Sequence, residues 1–260
     1  MHLIRRSVTA AALLCGLFSS SLASAGACPS HYVDGRLPEI RNAKMNAATT
    51  ELCYRVFGVM HSGITRTPLW SAEHLTAENI EAAKDLSREN SFHTESRLPP
   101  FGRAELSDYA RSGYDRGHMA PNGDMPDRRS QHESFTLANM VPQDADNNRH
   151  VWAGIEAVVR KLAQKEGDLY VITGPAFIGG NLQKVGNVLV PTHLYKLVYS
   201  PRQRAGAAFF IENRADADYV MLSVAQLEGK IGIDLLPSLP AADKNNMLRV
   251  PKVKQRKDRS

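Results

Sequence analysis

Two groups of residues in this chain carry side chains able to do chemistry at a common point. The first is the run Asp115-Arg116-Gly117-His118-Met119-Ala120-Pro121. Imidazole is the side chain whose unperturbed pKa lies closest to neutrality, which suits it to act as a general base. Here charged neighbours precede it, and Gly117 permits tight backbone geometry beside it. The second group is Asn148 and Glu156, downstream of Asn139-Met140-Val141-Pro142-Gln143 and Asp144-Ala145-Asp146-Asn147. On an α-helix these two positions differ by about 80° around the axis and ~12 Å along it. Helical side chains lean toward the N-terminus, so Glu156 leans back toward Asn148. One amide oxygen on a cation, and one carboxylate gripping the cation's waters, is a common way to hold Mg²⁺. Taken one at a time, these residues have plainer roles. A loop histidine is as readily solvated or structural, and Asn148 with Glu156 as readily a helix cap and a surface acid.

The elements that must position them are legible in the hydrophobic pattern. Val151, Ile155, Val158, Val159 and Leu162 form one apolar stripe and predict a helix over residues 146–165. Residues 52–61 read as a strand, 67–73 as an edge strand continuing from it, and 78–86 as a helix. Residues 90–115, with Pro99-Pro100 and two glycines, read as a long loop that ends at the histidine. Strands are predicted at 169–173, 188–190, 194–199 and 207–212, and 219–227 starts as a strand and turns helical near Gln226. Strands and helices mixed without regular alternation imply an α+β fold with an antiparallel sheet.

The ends of the chain have their own composition. A basic start with Arg5 and Arg6, an apolar run at 10–18 and the small residues Ala23-Ser24-Ala25 predict a signal peptide over 1–25, cut after Ala25. That run is too short to span a bilayer, which takes ~20 residues. The expectation is therefore a periplasmic or secreted protein with no membrane attachment after cleavage, organised as one domain over 26–250. Residues 251–260 form a basic tail. The formal charge is +5, of which Arg5 and Arg6 supply two, a mild excess compatible with a polyanionic partner. Cys15 leaves with the leader. Cys28 and Cys53 remain as a pair expected to form a disulfide, and two cysteines are too few for a cysteine-rich zinc site.

The Asp-Arg-Gly-His-Met-Ala-Pro run, the Asn-Met-Val-Pro-Gln segment and Asn147-Asn148-Arg149-His150-Val151-Trp152-Ala153-Gly154-Ile155-Glu156, at these spacings, resemble the DNA/RNA non-specific endonuclease family. That family belongs to the ββα-metal (His-Me finger) nucleases, and the resemblance extends over about residues 52–236. It implies a ββα-metal core with a central, mainly antiparallel sheet and flanking helices. It further implies metal-dependent hydrolysis of DNA and RNA with Mg²⁺ or Mn²⁺, leaving 5′-phosphates. By the same resemblance His118 is the general base, Asn148 the direct metal ligand and Glu156 the carboxylate that orients the metal's waters. Arg116 and Arg88 would contact phosphate, and Asn139 would support the site. Arg97 is the alternative to Arg88, and Asn147 the register alternative to Asn148. The implied partners are DNA and RNA, with a homodimer left open. Two other readings are compatible with these residues: a metal-dependent phosphodiesterase on small or lipid substrates, and a silent nucleic-acid-binding relative.

Overall fold

A computed structural model describes residues 26–253, so the expected signal peptide and residues 254–260 of the expected tail lie outside them. In chain order the longer strands are β1 (Thr49–Cys53), β2 (Phe57–Ser62), β3 (Thr67–Thr76), β4 (Tyr114–His118), β5 (Met140–Asp144), β6 (Asp168–Ala176), β7 (His193–Ser200), β8 (Ala205–Glu212) and β9 (Tyr219–Leu222). Seven of them form one sheet in the order β9-β8-β7-β6-β3-β2-β1, every neighbouring pair antiparallel. Strands β4 and β5 pair only with each other. The helices used below are α1 (Ala77–Ala83), α2 (Arg128–Ser134), α3 (Ala153–Glu166) and α4 (Val224–Ile231).

Side chains alternate across a strand, and here both faces of the sheet are covered. One face sends Leu75, Val171, Leu194, Val198 and Phe209 against Trp152, Ile155, Val159 and Leu162 of the long helical segment. The other sends Trp70, Ile172, Tyr195 and Phe210 against Val224, Leu227 and Ile231 of α4 and the N-terminal Tyr32. Each such fully buried side chain contributes about 1.5–3 kcal/mol, which seats α3 firmly on the sheet. The helix stops where Gly167 adopts φ 83° and its N–H bonds Ala163 O. Helix α4 begins at a capping box of Ser223 and Gln226, the point where residues 219–227 were predicted to change character. Cys28 and Cys53 form the expected disulfide, tying the first described residues to the end of β1. No helix among the described residues is long and apolar enough to cross a membrane.

Three expectations need correction. Residues 52–61 are not one strand, because the chain turns at 54–56 and Tyr54 N–H bonds Phe57 O. The segment expected at the sheet edge is β3, an interior strand between β2 and β6. Pro68 is accommodated there because the pairing with β2 slips by one residue beside it, and pairing with β6 begins only at Ser71. Finally, the histidine motif lies on β4 instead of closing a loop.

Candidate active site

The histidine reaches its place through a strand pair. In the β4–β5 ladder Asp115 stands opposite Gln143, and His118 opposite Met140. The pairing requires Gly117, since a Cβ there would lie 2.1 Å from Gln143 Oε1. Tyr114, Arg116 and His118 alternate onto the same face of β4. The chain leaving His118 is held from below. Asn139, fully buried, donates to Ala120 O (2.8 Å) and Ser134 O (2.9 Å), and its Oδ1 accepts from Ala120 N–H (3.0 Å) and the Ser71 hydroxyl (2.7 Å). Lys196, buried on β7, donates to Thr173 Oγ1 (2.7 Å) and Met119 O (3.3 Å). Ser71, Thr173 and Lys196 are cross-strand neighbours on β3, β6 and β7. One polar row of the sheet therefore grips the backbone just after the histidine.

The amide and the carboxylate come from the segment after β5. Asp144 caps it, accepting from Asn147 N–H. One helical turn, Ala145–Asn147, leads into a π-helical stretch, Asn148–Trp152, and then α3. A π-turn inserts one extra residue into the helix, so positions 148 and 156 behave like α-helical positions seven apart. Their angular offset falls from about 80° to about 20°, and both side chains line the same cleft. Asn147, the register alternative, is buried and committed elsewhere. Its Oδ1 accepts from Gln143 and its Nδ2 donates to Glu212 O.

The cleft, about 500 Å³, is lined by His118, Asn148, Glu156, Arg88, Arg116 and Arg160 among others. His118 is only 7% exposed. It packs edge-on to Phe135 (centroids 4.9 Å apart) and tilted against Phe92 (5.7 Å). That burial, with Arg88 and Arg116 nearby, lowers its pKa to about 3, so the ring is neutral at physiological pH. The guanidinium of Arg116 lies 4.1 Å over the Phe92 ring, and that of Arg88 lies 5.1 Å over Phe135. Arg88 also donates to Asn90 and Asn122. Neither arginine forms an ion pair among the described residues. Arg97 is different: it is bound through two nitrogens to Glu95, lies over Tyr54 and does not line the cleft.

Asn148 Nδ2 donates to Asp115 Oδ2 (2.9 Å), and Asp115 is itself held by two bonds from Arg149. This orients the amide and leaves its Oδ1 without a partner among the described residues. Glu156 is partly exposed along the cleft wall, but its enclosure pushes its pKa upward, offset by the positive Lys196 and Arg160. A free amide oxygen and a carboxylate in one polar cleft are hard donors that fit a divalent cation such as Mg²⁺ or Mn²⁺ and leave most ligand positions to water.

His118, Asn148, Glu156, Arg116 and Arg88 thus meet in one place, whereas Asn139 stays beneath it and holds the loop. Four neighbours went unpredicted. Arg160 lines the cleft one turn beyond Glu156 and pairs with the buried Asp124 (3.0 Å). Lys196 lies beneath, as does Glu73, whose carboxylate is buried without a partner and has its pKa pushed up by desolvation and by Asp124. Arg160 follows Glu156 at i+4, a spacing that was available as a signal. Glu73 and Lys196 sit on distant strands, and only the sheet register brings them together.

The sequence profile of the DNA/RNA non-specific endonuclease family matches residues 39–242. Nuclease C1 of Cunninghamella echinulata var. echinulata is 39% identical over 166 residues, 58% of this chain and 66% of its own length. The mitochondrial nuclease of Saccharomyces cerevisiae is 32% identical over 214 residues, 71% of this chain and 65% of its own. Human mitochondrial nuclease EXOG is 31% identical over 214 residues, covering 74% and 58%. The chain therefore spans less than two thirds of the length of each of these relatives. In three dimensions it is similar to a chain in the crystal structure of the EndoG/EndoGI complex, with TM-score 0.63, 27% identity, and 73% of this chain and 86% of that one covered. These relatives overturn the expectation of a periplasmic or secreted protein, because those from Saccharomyces cerevisiae, Schizosaccharomyces pombe and human are mitochondrial by name.

Proposed function

Since this chain belongs to the DNA/RNA non-specific endonuclease family, we propose that it hydrolyses phosphodiester bonds of DNA and RNA in the cleft between β4 and the π-turn. The observation that carries this reading is the composition of that cleft. A neutral histidine, two arginines free of carboxylate partners, an amide oxygen and a carboxylate all face one space.

The roles follow from chemistry. Neutral His118 accepts a proton from a water as its oxygen attacks phosphorus. The bond from phosphorus to the 3′ oxygen breaks, that oxygen leaves with the electron pair and is protonated from bulk water, and a 5′-phosphate remains. Arg116 and Arg88 face the phosphate and neutralise charge on its non-bridging oxygens, where preorganised donors are most effective. A divalent cation, which Asn148 Oδ1 and Glu156 would hold, supplies Lewis-acid stabilisation of the charge developing on the phosphate. Arg149 and Asp115 keep the Asn148 amide turned the right way. Burial raises the Glu156 pKa, and the positive charges of Lys196 and Arg160 oppose that rise. Water, not a ribose hydroxyl, is the nucleophile, so DNA and RNA are both substrates. Contacts to phosphate carry little sequence information.

The test is digestion of supercoiled plasmid and of RNA by the purified protein, with Mg²⁺ or Mn²⁺ and with chelator, alongside His118→Ala and Asn148→Ala. Cleavage that requires the cation and both side chains supports the proposal. Wild-type cleavage by His118→Ala removes it.

A further inference from the structure

Beside the cleft, and sharing Arg88, Asp115, Arg116 and Asn148 with it, runs a second groove of about 380 Å³ that nothing above uses. Its far wall is the turn between the single helical turn Leu106–Tyr109 and β4. Ser112 N–H bonds Tyr109 O across that turn, Ala110 lies at φ −64° and ψ 121°, and Arg111 lies at φ 56°. These are the angles of a type II turn, whose third position favours glycine. Here that place holds an arginine, exposed and without an ion pair among the described residues. The groove's acid, Asp115, is already bound to Arg149. Tyr109 also lines the groove, and its hydroxyl is buried without a partner. Three arginines (88, 111 and 116) thus line one continuous channel, and two of them also belong to the cleft.

We propose that this groove is an extended substrate subsite, in which Arg111 binds a backbone phosphate of the polynucleotide several positions from the bond that is cut. The proposal rests on the nuclease reading above. The distance follows from the strand. Tyr114, Arg116 and His118 face the same side of β4, and four residues at ~3.3 Å each put Tyr114 ~13 Å from His118. Along a duplex rising ~3.4 Å per nucleotide, that is three to four nucleotides. Arg111 lines the groove and not the cleft that holds His118, so a longer strand engages it and a dinucleotide seated at His118 does not. The contact is to phosphate, so it adds affinity without sequence preference.

The experiment compares Arg111→Gly, Arg111→Lys and wild type on a 40-nucleotide DNA and on a dinucleotide. Glycine suits φ 56°, so the first variant folds, and the lysine variant keeps the charge. Arg111→Gly should raise KM for the 40-mer about fivefold at unchanged kcat, and reduce the slope of log KM against log salt by about 1. Arg111→Lys should restore most of the loss, and the dinucleotide should show none of it. An unchanged KM and salt slope for Arg111→Gly on the 40-mer overturns the subsite. So does an equal loss on both substrates. If wild-type protein cuts neither substrate, it is the nuclease reading that has failed.

Discussion

His118 should remain uncharged far below the pH at which a free histidine titrates, and this can be tested without assaying activity. Burial against Phe135 and Phe92, with Arg88 and Arg116 close by, lowers its pKa to about 3 from an ordinary value near 6.5. Between those values the unfolded chain binds a proton that the folded protein refuses. Stability is therefore fully present above pH 6.5 and is lost as pH falls through the window from 6.5 to 3, at up to about 1.4 kcal/mol per pH unit. From pH 7.5 to 5.0 the His118 share is about 2 kcal/mol. His31 and His61 are also buried with lowered pKa values, so the wild type should lose more than this in total. His118→Asn removes only the His118 share. Urea unfolding of both proteins at pH 7.5 and 5.0, with chelator present, should show the variant losing about 2 kcal/mol less than the wild type. In the same buffers the His118 ring ¹³C resonance should not move between pH 8 and 5. At pH 5 about 99% of the rings would be neutral, against about 3% for an unperturbed histidine. A resonance that titrates near pH 6.5, or equal stability losses in the two proteins, would refute the claim that the fold keeps this base deprotonated.

Substitutions at five other positions have expected outcomes. Asn139→Ala removes four buried hydrogen bonds. It should cost about 3–5 kcal/mol, roughly 10 °C in Tm by calorimetry, and a Tm within 3 °C of wild type would show that the amide is not a structural clamp. Asn148→Ala should lose at least about a hundredfold in cleavage rate and its Mg²⁺ binding by titration calorimetry, with little change in Tm, because its side chain is partly exposed. Asn147→Ala, which strips bonds from Gln143 and Glu212, should instead lower stability by about 1–3 kcal/mol and keep cation binding. Arg88→Ala should cut kcat/KM about a hundredfold in plasmid digestion. Arg97→Ala should leave the kinetics alone and cost about 1–2 kcal/mol, since Arg97 is half exposed and serves Glu95.

The split between what was legible in the sequence and what was not has a physical basis. Local patterns are read along the chain, so the apolar stripe of the long helix, the change from strand to helix near Gln226, and the pairing of Cys28 with Cys53 were all visible. So were the residue types able to act as a base or to hold a cation, because that capacity belongs to the side chain itself. What sequence separation conceals is packing. Residues 67–73 read as an edge strand, yet β3 lies inside the sheet because one slipped residue beside Pro68 absorbs the missing donor. Arg88 and Arg97 were equivalent on paper and were distinguished only when Glu95 and Tyr54 captured the second.

The run around His118 and its distance to Asn148 and Glu156 therefore pointed, from sequence alone, to the family that the profile match shows and to the side chains that line the cleft. The tertiary structure decided whether they form a site. A π-turn, which no residue pattern here announces, rotates Asn148 and Glu156 from about 80° apart to about 20°. Strand β4, held by Asn139, Lys196 and the polar row of the central sheet, brings a buried and neutral imidazole to face them. Those contacts join residues up to 77 positions apart, and their strength depends on enclosure, which belongs to the packed chain and to no segment of it.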